Sequence, residues 1–323
     1  MKSLPYIDAA AIAAQLSYPE LLAALEQAFL QAHQVPDRMN CDIGAQWGID
    51  ARLLLMPAWR ADGFLGIKCV TLHPDNPARG MPALAGLYLL LDGKTGQPLA
   101  LLDAAELTAW RTAAASMLAA SLLATRAPRK VLVIGAGKLA AYFIRAYWEI
   151  MQPERIGLWN RDISKAEQLI SSIQLPGCTL EVAPDLEQAV RQADSISTLT
   201  SSRQPLFPGR WCRPGCHVDL VGGFAPDMRE ADDELLRRAV ICVDSYQGAL
   251  AEAGDIIDPL ERGVISRADI KMELSELVTV KKPLLSAEKD LTVFKSVGTA
   301  LEDLAAAVLI CDRINPGQDS PCP

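Results

Sequence analysis

Positive charge is in short supply in this chain. It has 31 Lys and Arg against 39 Asp and Glu, a formal net charge of −8. Nucleic acids and anionic membrane faces both need a basic surface, so neither is expected as a partner. Any site for an anion must therefore be local. Long apolar runs are also missing: Ala83–Leu91 is too short to span a bilayer, and Ala104–Ala124 is broken by Glu and Arg, so no membrane helix is expected. The Ala-rich start after Lys2 is interrupted at Asp8 with no cleavage pattern behind it, and no leader is expected. Histidine is limited to His33, His73 and His217. His73 reads as a loop or packing residue, and Cys212, Cys216 and His217 have no second ligand pair, so no metal site is expected. The eight cysteines are scattered, some inside apolar segments such as Ile241-Cys242-Val243. That is the pattern of reduced core thiols and points to the cytoplasm. There is no internal repeat, and only the tail after Asn315 reads as disordered.

What is present is hydrophobic mass: half of the 323 residues are apolar, enough for a large core and two domains. The most informative stretch is Val131-Leu-Val-Ile-Gly-Ala-Gly-Lys-Leu-Ala140. A β-branched run stops in a two-glycine turn, and Leu139, Phe143, Ala146 and Tyr147 then recur at helical spacing. This is how a strand passes to a helix around a dinucleotide pyrophosphate. Gly135 serves the tight turn, Gly137 lets backbone approach the phosphates, and Ala140 lets helix pack on strand, while the helix N-terminus supplies N–H groups.

Upstream, Ser17-Tyr18-Pro19-Glu20 reads as a capping box opening a helix of about 15 residues, with Leu21, Leu22, Leu25 and Phe29 on one face. Strands are expected at Leu53–Met56, Leu65–Leu72 and Leu84–Leu91, divided by Pro57, the Pro74–Pro82 loop and the Asp92–Gly96 turn, as one antiparallel sheet. An Ala-rich helix covers Ala104–Thr125. Beyond the Gly loop, strands (131–134, 156–159, 195–200, 216–221, 240–244) alternate with helices (138–150, 164–173, 185–192, 232–238), the pattern of a doubly wound parallel sheet. A last helix, roughly Thr299–Cys311, is expected to cross back to the first domain. Asp227 and Glu230 read as capping the start of a helix.

Trp159-Asn160-Arg161-Asp162 follows the second strand of the alternating half, where NAD-selective enzymes place an acid against the ribose 2′-hydroxyl. Arg161 can grip a 2′-phosphate and Asn160 can donate to it, so NADPH is the expected cofactor, with NADH weaker. In the front half, Lys68 lies inside an apolar strand, where an unpaired ammonium is costly, so it must face an anion or a cleft. Arg111 interrupts an apolar helix just before small residues that let a ligand approach. With Arg38, these two cations form a clamp suited to a carboxylate.

Leu65-Gly66-Ile67-Lys68, Pro74-Asp75-Asn76, Leu107–Ser116, Gly135-Ala136-Gly137 and Phe294-Lys295-Ser296-Val297-Gly298 resemble, in order and over nearly the whole chain, the ornithine cyclodeaminase/mu-crystallin family. The resemblance implies a Rossmann domain (126–295) inserted in an α+β substrate and dimerisation domain (1–125 with 296–323) that carries an open antiparallel β-structure. It implies a homodimer with carboxylate binding by Arg38, Lys68 and Arg111. Cofactor contacts are implied at Thr112, Gly135, Ala136, Gly137, Lys138, Leu139, Asn160, Arg161, Thr200, Val221 and Ser296. Two departures narrow the chemistry. Phe224 stands where cyclodeaminases carry an Asp that handles the amino group, and Arg161 replaces their acidic residue. The combination is most similar to ketimine reductases acting on Δ1-pyrroline-2-carboxylate and Δ1-piperideine-2-carboxylate to give L-proline and L-pipecolate. Lys68 is then a catalytic candidate as well as a carboxylate ligand. Lys138-Leu139 departs from the family's usual apolar residue and Gln, although backbone N–H groups still serve there. The readings that compete are ornithine cyclodeaminase, an alanine-type amino-acid dehydrogenase, and a non-catalytic NADPH-dependent binding protein of the mu-crystallin kind.

Overall fold

The computed structural model describes residues 4–124, 126–281 and 291–314. The expected disordered tail lies outside the described residues. Two compact units form: one from residues up to Thr112 and from Thr299 onward, the other from Ala113–Gly298.

The first unit starts with β1 (Tyr6–Ile7), α1 (Ala9–Gln15) and α2 (Tyr18–Leu30), followed by the short β2 (His33–Gln34) and β3 (Met39–Asp42). Next come β4 (Arg52–Arg60), β5 (Phe64–Leu72), β6 (Leu84–Asp92), β7 (Pro98–Asp103) and α3 (Ala104–Leu123), the helix that runs on into the second unit. The sheet order is β1-β7-β6-β5-β4-β2, with β3 also on β4. It is antiparallel except for the β1–β7 pair. At the start of α2 the capping box does not form: Ser17 makes no cap bond to backbone, and its hydroxyl instead donates to the Glu20 carboxylate. The helix α3 is capped by Asp103, whose carboxylate accepts from the Glu106 N–H at 2.7 Å.

In the second unit, β8 (Lys130–Ile134), α4 (Lys138–Met151), β9 (Arg155–Trp159), α5 (Ile163–Ser171), β10 (Thr179–Val182), α6 (Leu186–Gln192) and β11 (Ser195–Thr198) alternate. They are followed by β12 (His217–Leu220), α7 (Asp233–Arg238), β13 (Ala239–Val243), α8 (Tyr246–Glu252), α9 (Gly254–Glu261), β14 (Ile270–Glu273), α10 (Leu274–Val280) and β15 (Leu291–Lys295). The chain then rejoins the first unit as α11 (Ala300–Ile314), which packs on α2, β4 and β5. All eight strands of this second sheet pair in parallel, in the order β10-β9-β8-β11-β12-β15-β13-β14. The order reverses between β8 and β11, and ligands of such sheets bind outside the carboxyl ends of the strands at that switch point. Buried Leu132, Ile134, Ile196, Val218, Leu220, Val243 and Val293 form the centre of its core.

Candidate functional site

In the second unit, the Gly loop has the shape the motif demands. Gly135 sits at φ +111°, where a side chain is strained, and a Cβ there would lie 3.0 Å from the Leu199 carbonyl oxygen. Gly137 caps α4, and a Cβ built on it would meet nothing within 4 Å, so backbone is open to a ligand on that side. Ala140 is fully buried. Lys138 is exposed and Leu139 half-buried on the first turn. Asn160 ties two loops together: its Oδ1 accepts from the Ala136 N–H at 3.1 Å, and its Nδ2 donates to the Asp162 carbonyl at 2.8 Å. Asp162 is occupied as the N-cap of α5, accepting from the Ser164 N–H and hydroxyl. Arg161 is exposed, with no ion pair or hydrogen bond from its side chain among the described residues. This loop fits a dinucleotide.

Glu230 caps no helix, contrary to expectation; the N-cap of α7 is Asp232, and Asp227 pairs with Arg203 on the surface at 3.1 Å. Instead, the fully buried Glu230 carboxylate accepts from Thr198 Oγ1 at 2.8 Å and from Thr200 Oγ1, the Thr200 N–H and the Gly222 N–H at 2.7 Å each. It clamps the chain beyond β11 to the chain beyond β12. Burial pushes its pKa up, and the Lys295 ammonium opposes that. Lys295 is itself fully buried, 3.2 Å from Asp255, which accepts the N–H groups of Glu230 and Ala231. Among the predicted cofactor residues, Gly135, Ala136, Asn160 and Thr200 thus gather where β8, β9 and β11 end. Val221 and Ser296 gather at the ends of β12 and β15, where the Ser296 N–H donates to Leu220. The Val297 and Gly298 N–H groups both bond Asp244.

The first unit places the cations. On β5, Lys68 is 3% exposed and its Nζ lies 2.7 Å from Asp303 Oδ2. On α3, Arg111 donates from Nε to Asp303 Oδ1 at 2.9 Å and from Nη1 to Glu302 Oε2 at 2.6 Å. Glu302 and Asp303 lie on the first turn of α11, where the helix dipole favours negative charge, and neither is exposed. Two cations and two carboxylates therefore form a buried cluster. Burial pulls Lys68 down from 10.5 to about 8, with Asp303 opposing and the charges of Arg111 and Arg38 adding to the fall. Burial also disfavours charge on Arg111, but Asp303 and Glu302 outweigh it and hold its pKa above the ordinary value. Thr108, one turn before Arg111, accepts from Lys68 Nζ at 3.4 Å and lends its carbonyl to the Thr112 hydroxyl at 2.7 Å. Thr112, predicted to meet cofactor, so bonds its own helix. Arg38 is half-buried just before β3.

Tyr88, directly across from Lys68 on β6, completes the group. Its buried hydroxyl has no hydrogen-bond partner among the described residues. A Cβ on Gly66 would fall 1.8 Å from that oxygen, which explains the glycine in Leu65-Gly66-Ile67-Lys68. From sequence alone nothing tied Tyr88, Asp255, Glu302 and Asp303 to these clusters, Glu230 read as a helix cap, and Lys295 stood out only as part of a motif. One signal was available for Glu302 and Asp303, because adjacent acids in an apolar helix need cations, and Arg111 and Lys68 need anions.

The parallel sheet of the second unit, with its Gly loop at the switch point, defines a nicotinamide-dependent enzyme. The chain belongs to the ornithine cyclodeaminase/mu-crystallin family, whose model matches residues 7–318. It is 32% identical over 312 residues to the Δ1-pyrroline-2-carboxylate reductase of Colwellia psychrerythraea, covering 95% of this chain and 98% of that one. With the mouse ketimine reductase mu-crystallin it shares 37% over 265 residues, 82% of this chain and 81% of that one. The solved Δ1-pyrroline-2-carboxylate reductase of Thermococcus litoralis, in complex with NADH and L-proline, superposes with a TM-score of 0.89 at 32% identity, covering 95% and 96% of the two chains. With such relatives along its length, the protein is an oxidoreductase.

Proposed function

We propose that the protein reduces cyclic ketimine carboxylates, Δ1-pyrroline-2-carboxylate and Δ1-piperideine-2-carboxylate, to L-proline and L-pipecolate with NADPH. Phe224 carries the choice of reaction within the family. It follows the Gly222-Gly223 turn after β12, is 44% exposed, and a phenyl ring can neither move a proton nor hold an ammonium by hydrogen bonds. Cyclodeamination needs an acid/base group there; reduction of a preformed imine does not.

When bound, a reduced nicotinamide supplies hydride to the imine carbon. Arg38, Lys68 and Arg111 hold the substrate carboxylate; two N–H groups of Arg111 are taken by Glu302 and Asp303, leaving others of its five for the ligand. The Gly135–Leu139 turn holds the pyrophosphate, Thr200, Val221 and Ser296 lie along the nicotinamide half, and Arg161 pairs with the 2′-phosphate. Arg161 is what favours NADPH here, although the Thermococcus enzyme was solved with NADH. No disulfide forms among the seven described cysteines, which suits a cytoplasmic enzyme, and the family's homodimer is the expected assembly. NADPH oxidation measured with the five- and six-membered imino acids tests the reading. Turnover with either ring, faster with NADPH than NADH, supports it, and no turnover with either rejects it.

A further inference from the structure

Asp303 touches both buried cations, and nothing in the reductase reading gives it a task. Its Oδ2 is 2.7 Å from Lys68 Nζ and its Oδ1 2.9 Å from Arg111 Nε. A carboxylate with no exposed surface is costly to bury, and replacing the cluster by apolar residues would often be as stable, so stability alone is a weak reason for it. Resting on that reading, we propose that Asp303 is a positioning residue for the reduction: gripping Lys68 and Arg111 with its two oxygens, it keeps the Lys68 ammonium fixed and charged as the proton source for the substrate's ring nitrogen.

The step balances. Carbon of the C=N bond takes hydride from the reduced nicotinamide, nitrogen takes a proton from Lys68, and the nicotinamide leaves oxidised. Lys68 is left as a neutral amine and regains its proton from solvent. Several groups face Lys68: Asp303 from α11, Arg111 and the Thr108 hydroxyl from α3, Tyr88 from β6, and Arg38 from the segment before β3. On β4 the residue opposite is the apolar Met56. Of those that bear charge, Arg111 and Arg38 push the ammonium toward losing its proton, and Asp303 opposes them. Burial has already brought Lys68 to about 8, near neutrality, where a general acid works best.

Rates of imine reduction against pH, together with an NMR titration of the Lys68 Nζ group in the full-length protein, test this. Wild type should lose kcat/KM on an alkaline limb as Lys68 deprotonates. In Asp303→Asn the limb and the Nζ titration should both move to lower pH by about one unit or more, and Asp303→Glu should return them toward wild type. Lys68→Arg keeps the charge and its ion pair yet does not release a proton; it should cut kcat by about 100-fold or more, with a smaller change in KM. That variant decides the question even if Asp303→Asn fails to fold. An unmoved limb in Asp303→Asn, or wild-type kcat in Lys68→Arg, overturns the assignment while wild-type turnover leaves the reductase reading intact. Absence of turnover by wild type defeats both.

Discussion

Lys68 and Asp303, from opposite ends of the chain, lie 2.7 Å apart with neither side chain open to solvent. The last helix, α11, thus belongs to the first unit through its charges and not only through its packing. An apolar helix that carries two adjacent acids and an apolar helix that carries one arginine each violate burial rules alone. Together they satisfy them.

Arg111→Ala should abolish turnover of the carboxylate substrate. Losing a buried charge-assisted bond costs about 2–5 kcal/mol in transition-state binding. The change also strands the Glu302 and Asp303 carboxylates, so the melting temperature should fall. NADPH affinity, read by fluorescence titration of protein that is still folded, should change little, whereas equal loss of cofactor and substrate binding would place Arg111 with the phosphates.

Arg161→Ala should weaken NADPH by about 1.5–3 kcal/mol, the worth of a hydrogen bond to a charged group, and leave NADH nearly unaffected. Comparing the two dissociation constants checks this. A wild-type preference for NADH would show that Asn160-Arg161 has been misread.

No ornithine cyclodeaminase activity is expected, because forming proline from ornithine needs proton transfers at nitrogen in several steps and Phe224 offers none. Incubation with L-ornithine and NAD or NADP, followed by ammonia and proline assays, tests this. Turnover comparable to that with cyclic imines would overturn it.

Two buried groups in the second unit oppose each other in pH dependence. Burial raises Asp219, which accepts from Ser116 and Ser197, from 3.8 to about 7. Between those values the folded state holds a proton that the unfolded chain has released, so this group lowers stability as pH rises. His217, buried against Thr292, is lowered from 6.5 to about 4. There the unfolded chain holds the extra proton, and stability rises with pH over that window. Each slope approaches about 1.4 kcal/mol per pH unit. Asp219→Asn should therefore make stability climb more steeply from pH 4.5 to 6.5 than in wild type, measured by urea unfolding. Identical slopes in the two proteins would contradict the assignment.

Legibility in the sequence followed local chemistry. The β8–Gly loop–α4 unit could be read because β-branched residues, two glycines and a 3.6-residue repeat agree there, and β5 and β6 because turn residues bracket them; β4 could be read only as far as Pro57, which lies inside the strand opposite Ile67, and the strand runs on to Arg60. Helix α9 could not, since Pro259 lies inside it, and β10 and β14 are short strands with few apolar residues. The β1, β2 and β3 strands are too short to show a period at all. At the site, the cations could be found from their misfit with apolar surroundings. Their carboxylate partners could not, because pairing Lys68 with Asp303 or Glu230 with Thr200 is a product of tertiary folding.

The central claim, hydride delivery to a cyclic ketimine carbon, is tested most directly by isotope transfer. The protein is incubated with Δ1-pyrroline-2-carboxylate and NADPH deuterated at nicotinamide C4 on the transferred face, and the proline formed is analysed by mass spectrometry and NMR. L-proline with a single deuterium at C2 is the predicted product. Proline without deuterium, or none at all while NADPH still binds, would contradict the account.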